Sequence, residues 1–100
     1  MKTYQIKETK HSTREVRMLP HYCLGLREFA EKIIEWHADS NRYQLVNGCL
    51  YNDYEVEWEF GKDDMIPVPT GFPIIDPDRP QASYCMDLDG LTYTAIEVEL

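Results

Sequence analysis

The side chains able to do chemistry in this chain are three cysteines, three histidines and a large set of carboxylates. His21-Tyr22-Cys23 stands just ahead of an expected helix, where backbone N–H groups and the helix dipole would lower a thiol pKa. A nucleophilic cysteine also requires a base within hydrogen-bond reach. His21, two residues away, is poorly placed for that, and His37 stands about three turns further on. Cys23 is therefore read as a buried structural thiol, the commonest fate of a free cysteine. A zinc site needs four converging ligands. His21, Cys23, Cys49 and Cys85, with His37 or His11, show neither a Cys-x-x-Cys nor a His-x-x-x-His spacing, so no metal site is expected.

The carboxylates divide into two kinds. Asp63-Asp64, Asp76/Asp78 and Asp87/Asp89 fall in or beside loops, and Asp76-Pro77-Asp78 and Asp87-Leu88-Asp89-Gly90 have the composition of turns. Acid–base catalysis would need such groups in a cleft that drives their pKa values apart, and a calcium loop would need a bidentate glutamate that is missing. We expect no catalytic residues and no cofactor. Glu55, Glu57 and Glu59 are different: at i, i+2 spacing on a strand their stems lie roughly 6.5–7 Å apart on one face. Glu97 and Glu99 repeat the pattern, and neighbouring strands would merge the two sets into one face of five carboxylates. Like charges opposite each other destabilise a sheet, so such a face would call for a partner. Glu55, Glu57, Glu59, Asp63, Asp64, Glu97 and Glu99 are the expected partner-binding residues. The plainer alternative is a solvated face neutralised by Lys2, Lys7 or Arg17.

Positioning these residues requires strands. Thr3–Glu8 alternates, with Tyr4 and Ile6 on one face, and Arg14–Leu19 returns with Val16 and Met18 before Pro20 closes it, a hairpin pattern. Residues 25–38 place Leu26, Phe29, Ala30, Ile33, Ile34 and His37 on one helical stripe. Glu28 and Lys32 form an i,i+4 pair on the other side. Arg42–Val46 and Cys49–Asn52 flank Asn47-Gly48, a strong type I′ turn signal. Tyr54–Phe60 is the sharpest alternation, with Tyr54, Val56, Trp58 and Phe60 opposite the three glutamates. Residues 61–81 contain five prolines and are expected to form a long loop whose Ile66, Val68, Phe72 and Ile74 close the open end of the core. A docking loop or dimer arm is the other use of such a proline-stiffened segment. Tyr84–Leu88 and Leu91–Val98 form a last hairpin about Asp89-Gly90. The order is β-β-α-β-β-(loop)-β-β. It implies one α+β domain over residues 1–100, with a mainly antiparallel sheet and one amphipathic helix packed on one face.

Composition bounds the function. The 100 residues are 43% hydrophobic and 12% aromatic, enough for a single core. No apolar run approaches the ~20 residues of a membrane span, and the N-terminus has no signal-like apolar region, so a cytoplasmic location and reduced cysteines are expected. The net charge of −8 is uneven. Residues 1–42 hold eight Lys/Arg and six Asp/Glu, residues 43–100 two and twelve, or +2 and −10. That surface disfavours direct nucleic-acid binding and favours a basic partner protein. In size and charge the chain resembles the small inhibitors that phages and mobile elements encode against nucleic-acid-binding defence systems. The resemblance rests on gross properties and on no motif. A non-enzymatic acidic binding protein is thus the leading expectation. The alternatives are a small enzyme or ligand-binding domain with a pocket under residues 61–81, using Cys23, His37, Tyr84 or Asp63, and a homodimeric structural subunit.

Overall fold

The computed structural model describes residues 2–99. Strands β1 (Thr3–Lys10) and β2 (Val16–Leu24) form a hairpin, followed by helix α1 (Leu26–His37). Next come the hairpin β3 (Tyr43–Val46) and β4 (Cys49–Asn52), a 3-10 turn over Asp53–Glu55, and the hairpin β5 (Val56–Phe60) and β6 (Met65–Pro69). Strands β7 (Ser83–Met86) and β8 (Leu91–Val98) complete the chain. The fold is α+β, as the pattern predicts. The main sheet is fully antiparallel in the order β2-β1-β8-β7, while β3–β4 and β5–β6 are separate two-stranded sheets.

The helix follows the predicted stripe. Phe29, Ala30, Ile33 and Ile34 are buried against Ile6, Cys23, Tyr84, Met86, Tyr93 and Ala95 of the sheet. Tyr43, Leu50 and Ile75 extend the same core towards β3 and β4, where Ile75 bridges to Leu50. Glu28 does not pair with Lys32; its carboxylate accepts the Leu24 N–H at 3.0 Å and so helps to start the helix. The turn between β3 and β4 is of the predicted type, with φ of 51° at Asn47 and 79° at Gly48.

Four local expectations are corrected. Pro20 does not end β2. The strand runs on through a bulge, in which Leu19, Pro20 and His21 lie between the Met18–Lys7 and Tyr22–Gln5 pairs, and the Gln5 side chain donates to the Leu19 carbonyl at 3.0 Å. A bulge on an edge strand is where a missing N–H costs least. The last hairpin turns over four residues, Asp87–Gly90, instead of two. Residues 61–81 are not a loop throughout, because Met65–Pro69 pairs with β5; Pro67 and Pro69 are tolerated on a strand with one neighbour. Ile66 and Phe72 do not close the core: Phe72 is 92% exposed, and Ile75 fills that place.

Strand β5 is largely uncovered, and Tyr54 and Glu55 precede it in the 3-10 turn. Of Tyr54, Val56, Trp58 and Phe60, only Val56 is buried; Tyr54 is 68%, Trp58 50% and Phe60 82% exposed. The radius of gyration is 14.9 Å, against ~13 Å for a compact domain of this length. Extents of 50 × 33 × 19 Å describe an elongated molecule.

Candidate functional site

The β5–β6 hairpin brings together the residues that the alternation pattern singles out. Its register sets Val56, Trp58 and Phe60 opposite Pro69, Pro67 and Met65, and Glu57 and Glu59 opposite Val68 and Ile66. Residues directly opposite share a face, so one face is aromatic and proline-rich and the other mixes carboxylates with aliphatic side chains. Met65 and Ile66 are half exposed, as Trp58 is. At the tip the Gly61 N–H donates to the Asp64 carbonyl at 2.7 Å, and the Asp64 carboxylate accepts the Met65 N–H at 2.8 Å. Asp63 and Asp64 thus sit at the end of the hairpin. Residues 53–65 carry six acids and Lys62, a net charge of −5.

Glu55 belongs to the hairpin by a different route. It lies in the 3-10 turn, outside the strand, and its carbonyl accepts the Thr70 N–H at 2.7 Å. Its carboxylate rests against Gly71, where an added Cβ would collide with Glu55 Oε2. The regular part of the row is therefore Glu57 and Glu59.

Glu97 and Glu99 are not beside that row. Both edges of β8 are occupied, by β1 and β7, and among the described residues β5 pairs with β6 alone. Glu97 stands opposite Tyr4 and pairs with Lys2 at 3.6 Å, and Glu99 lies beyond the end of β8. No shared ladder merges the two acidic segments. Sequence alternation identifies each row but cannot rank strand neighbours.

A second cluster was not foreseen from the sequence. Asp89 Oδ2 lies 3.3 Å from His37 Nδ1, and Asp89 Oδ1 lies 2.8 Å from Arg42. Because the carboxylate only accepts, Nδ1 carries the proton, and Nε2 accepts from the Tyr93 hydroxyl at 2.8 Å. Burial lowers the His37 pKa, with the Asp89 charge opposing it. Burial also raises the Tyr93 and Tyr43 phenols, with added pressure from Glu8 on the first and Asp89 on the second. Asp, His and Tyr in series can move a proton. Here the phenol is buried and held neutral, and the network ties the end of α1 to β8 and the β7–β8 turn. The only advance signal was a histidine on an apolar stripe.

The residues suggested for a pocket do not converge. Cys23 is fully buried on β2, its thiol pKa raised by burial and then by Glu28. His37 ends the helix, Asp63 caps the hairpin, and Tyr84 is buried with its hydroxyl accepting the Gln81 N–H. A shallow groove of about 210 Å³ does lie by the segment after β6, lined by Phe72, Ile74, Asp76, Arg79 and Tyr84 among others. Of the four pocket candidates only Tyr84 reaches it. Cys49 and Cys85 remain apart from Cys23 as free thiols. Cys85 sits 2.9 Å from Asp87, whose hydrogen bond is the main cause of its raised pKa, with His11 at 3.9 Å. Among the described residues no three His, Cys, Asp or Glu side chains are grouped to hold a metal, and no helix is long and apolar enough to cross a membrane.

No family model matches the chain, and no curated protein or solved structure matches it either.

Proposed function

We propose that the chain is a non-enzymatic binding protein that offers the β5–β6 hairpin to a basic partner protein. The observation that carries this reading is the exposure of Trp58 and Phe60 on a strand that also bears Glu57 and Glu59. Aromatic side chains are the usual anchors of interfaces, and charges around them set partner choice and encounter rate. Residues 53–65 hold a net charge of −5 beside these aromatic side chains, and Glu57 and Glu59 stand on the strand itself. A basic protein groove, such as one that binds nucleic acid, is the surface that fits such carboxylates. This is the chemistry of an inhibitor of the kind phages and mobile elements encode.

The test is capture from a host lysate over a salt series. Two variants are compared with the natural chain, Glu55/Glu57/Glu59→Gln and Trp58→Ser with Phe60→Ser. The partner should be lost in both variants and released as the Debye length shrinks from ~10 Å at 0.1 M to ~3 Å at 1 M salt. Capture unchanged by salt and by both variants would sink the proposal.

A further inference from the structure

The main sheet has a second face whose chemistry differs from the rest of the surface. α1 covers the side bearing Ile6, Cys23, Tyr84 and Tyr93. On the opposite side, edge strand β2 presents Val16, Met18, Tyr22 and Leu24, each about half exposed. Their partners on β1 are Thr9, Lys7, Gln5 and Thr3. Beyond β1, Ile96 and Val98 of β8 continue the two rows that begin at Tyr22 and Leu24. Among the described residues Lys7 is the one charged strand residue on this face, and one carboxylate, Asp87, hydrogen-bonded to Cys85, stands at its β7 edge, in a chain with eighteen Asp and Glu. An uncovered apolar face of this extent marks an interaction surface.

We infer that this face packs against the same face of a second copy, sheet on sheet. Charge selects the occupant. Two copies of −8 repel most through residues 43–100, which carry the excess acid, and this face lets them meet with one lysine and one edge aspartate on each side, the lysine's long stem carrying its ammonium to the rim. A basic partner would instead be drawn to the carboxylates of β5, so this inference stands independently of the function proposed above. Area is sufficient. Three strands of eight or nine residues and one of four, spaced ~4.8 Å apart, give a face of roughly 470 Å² in projection, and side-chain relief raises the buried surface towards the ~800 Å² per partner of a standard interface. Two such faces stack ~10 Å apart with strands within about 30°. The twofold pair would carry two acidic hairpins and bind a repeated partner with the gain of bivalency.

The experiment is sedimentation of the full chain across micromolar concentrations at low and high salt. A dimer is expected, unchanged or strengthened by salt, since screening removes repulsion between like-charged copies. This is the opposite sign to partner capture through the hairpin. Tyr22→Glu should raise the dimer Kd at least about tenfold, and Met18→Lys should act likewise, while Trp58→Ser with Phe60→Ser leaves it unchanged. Circular dichroism checks folding, and Met18→Lys decides if Tyr22→Glu does not fold. A monomer at every concentration and salt, or a dimer indifferent to both β2 substitutions, overturns the inference. So does a dimer lost only in the hairpin variant, which would assign self-association to β5–β6.

Discussion

Replacing Phe60 with alanine should cost the fold almost nothing, and replacing Phe29 should cost a great deal. Removing a fully buried phenylalanine costs about 3–5 kcal/mol, and Phe29 is fully buried under the helix. Phe60 is 82% exposed, so 100 − 82 leaves 18% of its surface covered. Scaling the same cost by that fraction gives roughly 0.5–0.9 kcal/mol. In a domain of this size 1 kcal/mol moves Tm by about 4–8 °C. Phe60→Ala is then expected to lower Tm by about 2–7 °C and Phe29→Ala by at least about 12 °C. Thermal and urea unfolding followed by far-UV circular dichroism measures both, with an unchanged urea slope showing that the unfolded reference is the same. The reasoning fails if Phe60→Ala costs more than ~2 kcal/mol. The hairpin would then be a structural part of the core, and its aromatic face would no longer need a partner. A small stability loss combined with a partner affinity loss above ~1 kcal/mol would mark Phe60 as an interface anchor.

Other outcomes follow from single contacts. Asp89→Asn removes the charge that holds the His37 pKa up, so that pKa should fall further in an NMR titration, with a stability loss of about 1–2 kcal/mol from the lost Arg42 and His37 contacts. Because the folded pKa of His37 lies below its ordinary 6.5, the unfolded chain takes up the proton first. His37 thus contributes its full stability above that pH and loses it on acidification; urea midpoints that rise as pH falls through this window, and that flatten in His37→Gln, would contradict the sign. Gly48→Ala should cost roughly 1–2 kcal/mol in urea, since φ of 79° suits only glycine well, and an unchanged midpoint would mean the turn had changed type. In a timed iodoacetamide reaction read by mass spectrometry, Cys85 should alkylate before Cys23, but slowly for an accessible thiol, because Asp87 raises its pKa. Rapid modification of Cys23 in the folded chain would show that β2 opens readily.

Local chemistry made several elements legible. The stripe through Phe29, Ile33 and Ile34 located α1 to within a residue at each end, because burying that stripe fixes the helix. Asn47-Gly48 located a turn because few residues accept positive φ. Pro67 and Pro69 argued against a strand, yet a strand paired on one side needs only half its donors. The link from His37 to Asp89 and Tyr93 was invisible for another reason: it joins a helix end, a turn and a strand that meet only after the sheet forms. Of the expected site residues, Glu55, Glu57, Glu59, Asp63 and Asp64 share one hairpin, and Glu97 and Glu99 were separated from them by strand order.

The exposure of Trp58 and Phe60 has a physical lesson for the function. Alternation says that Val56, Trp58 and Phe60 share a face, and it does not say what covers that face. Inside this molecule α1 is already committed to the main sheet, and no second helix is present among the described residues to lie on β5. Leaving Trp58 half and Phe60 82% exposed forgoes roughly 0.8–1.5 and 1.2–2.5 kcal/mol, the full burial value scaled by the exposed fraction. That stabilisation is available to whatever covers them. The adjacent carboxylates make an acidic cover unfavourable and a basic one favourable, which assigns both the driving force and the selectivity of binding to the same hairpin. The opposite face of the main sheet has apolar surface with a single carboxylate, Asp87, at its edge, so its association should strengthen with salt while that of the hairpin weakens. One titration with salt therefore separates the two surfaces, whatever the identity of the partner.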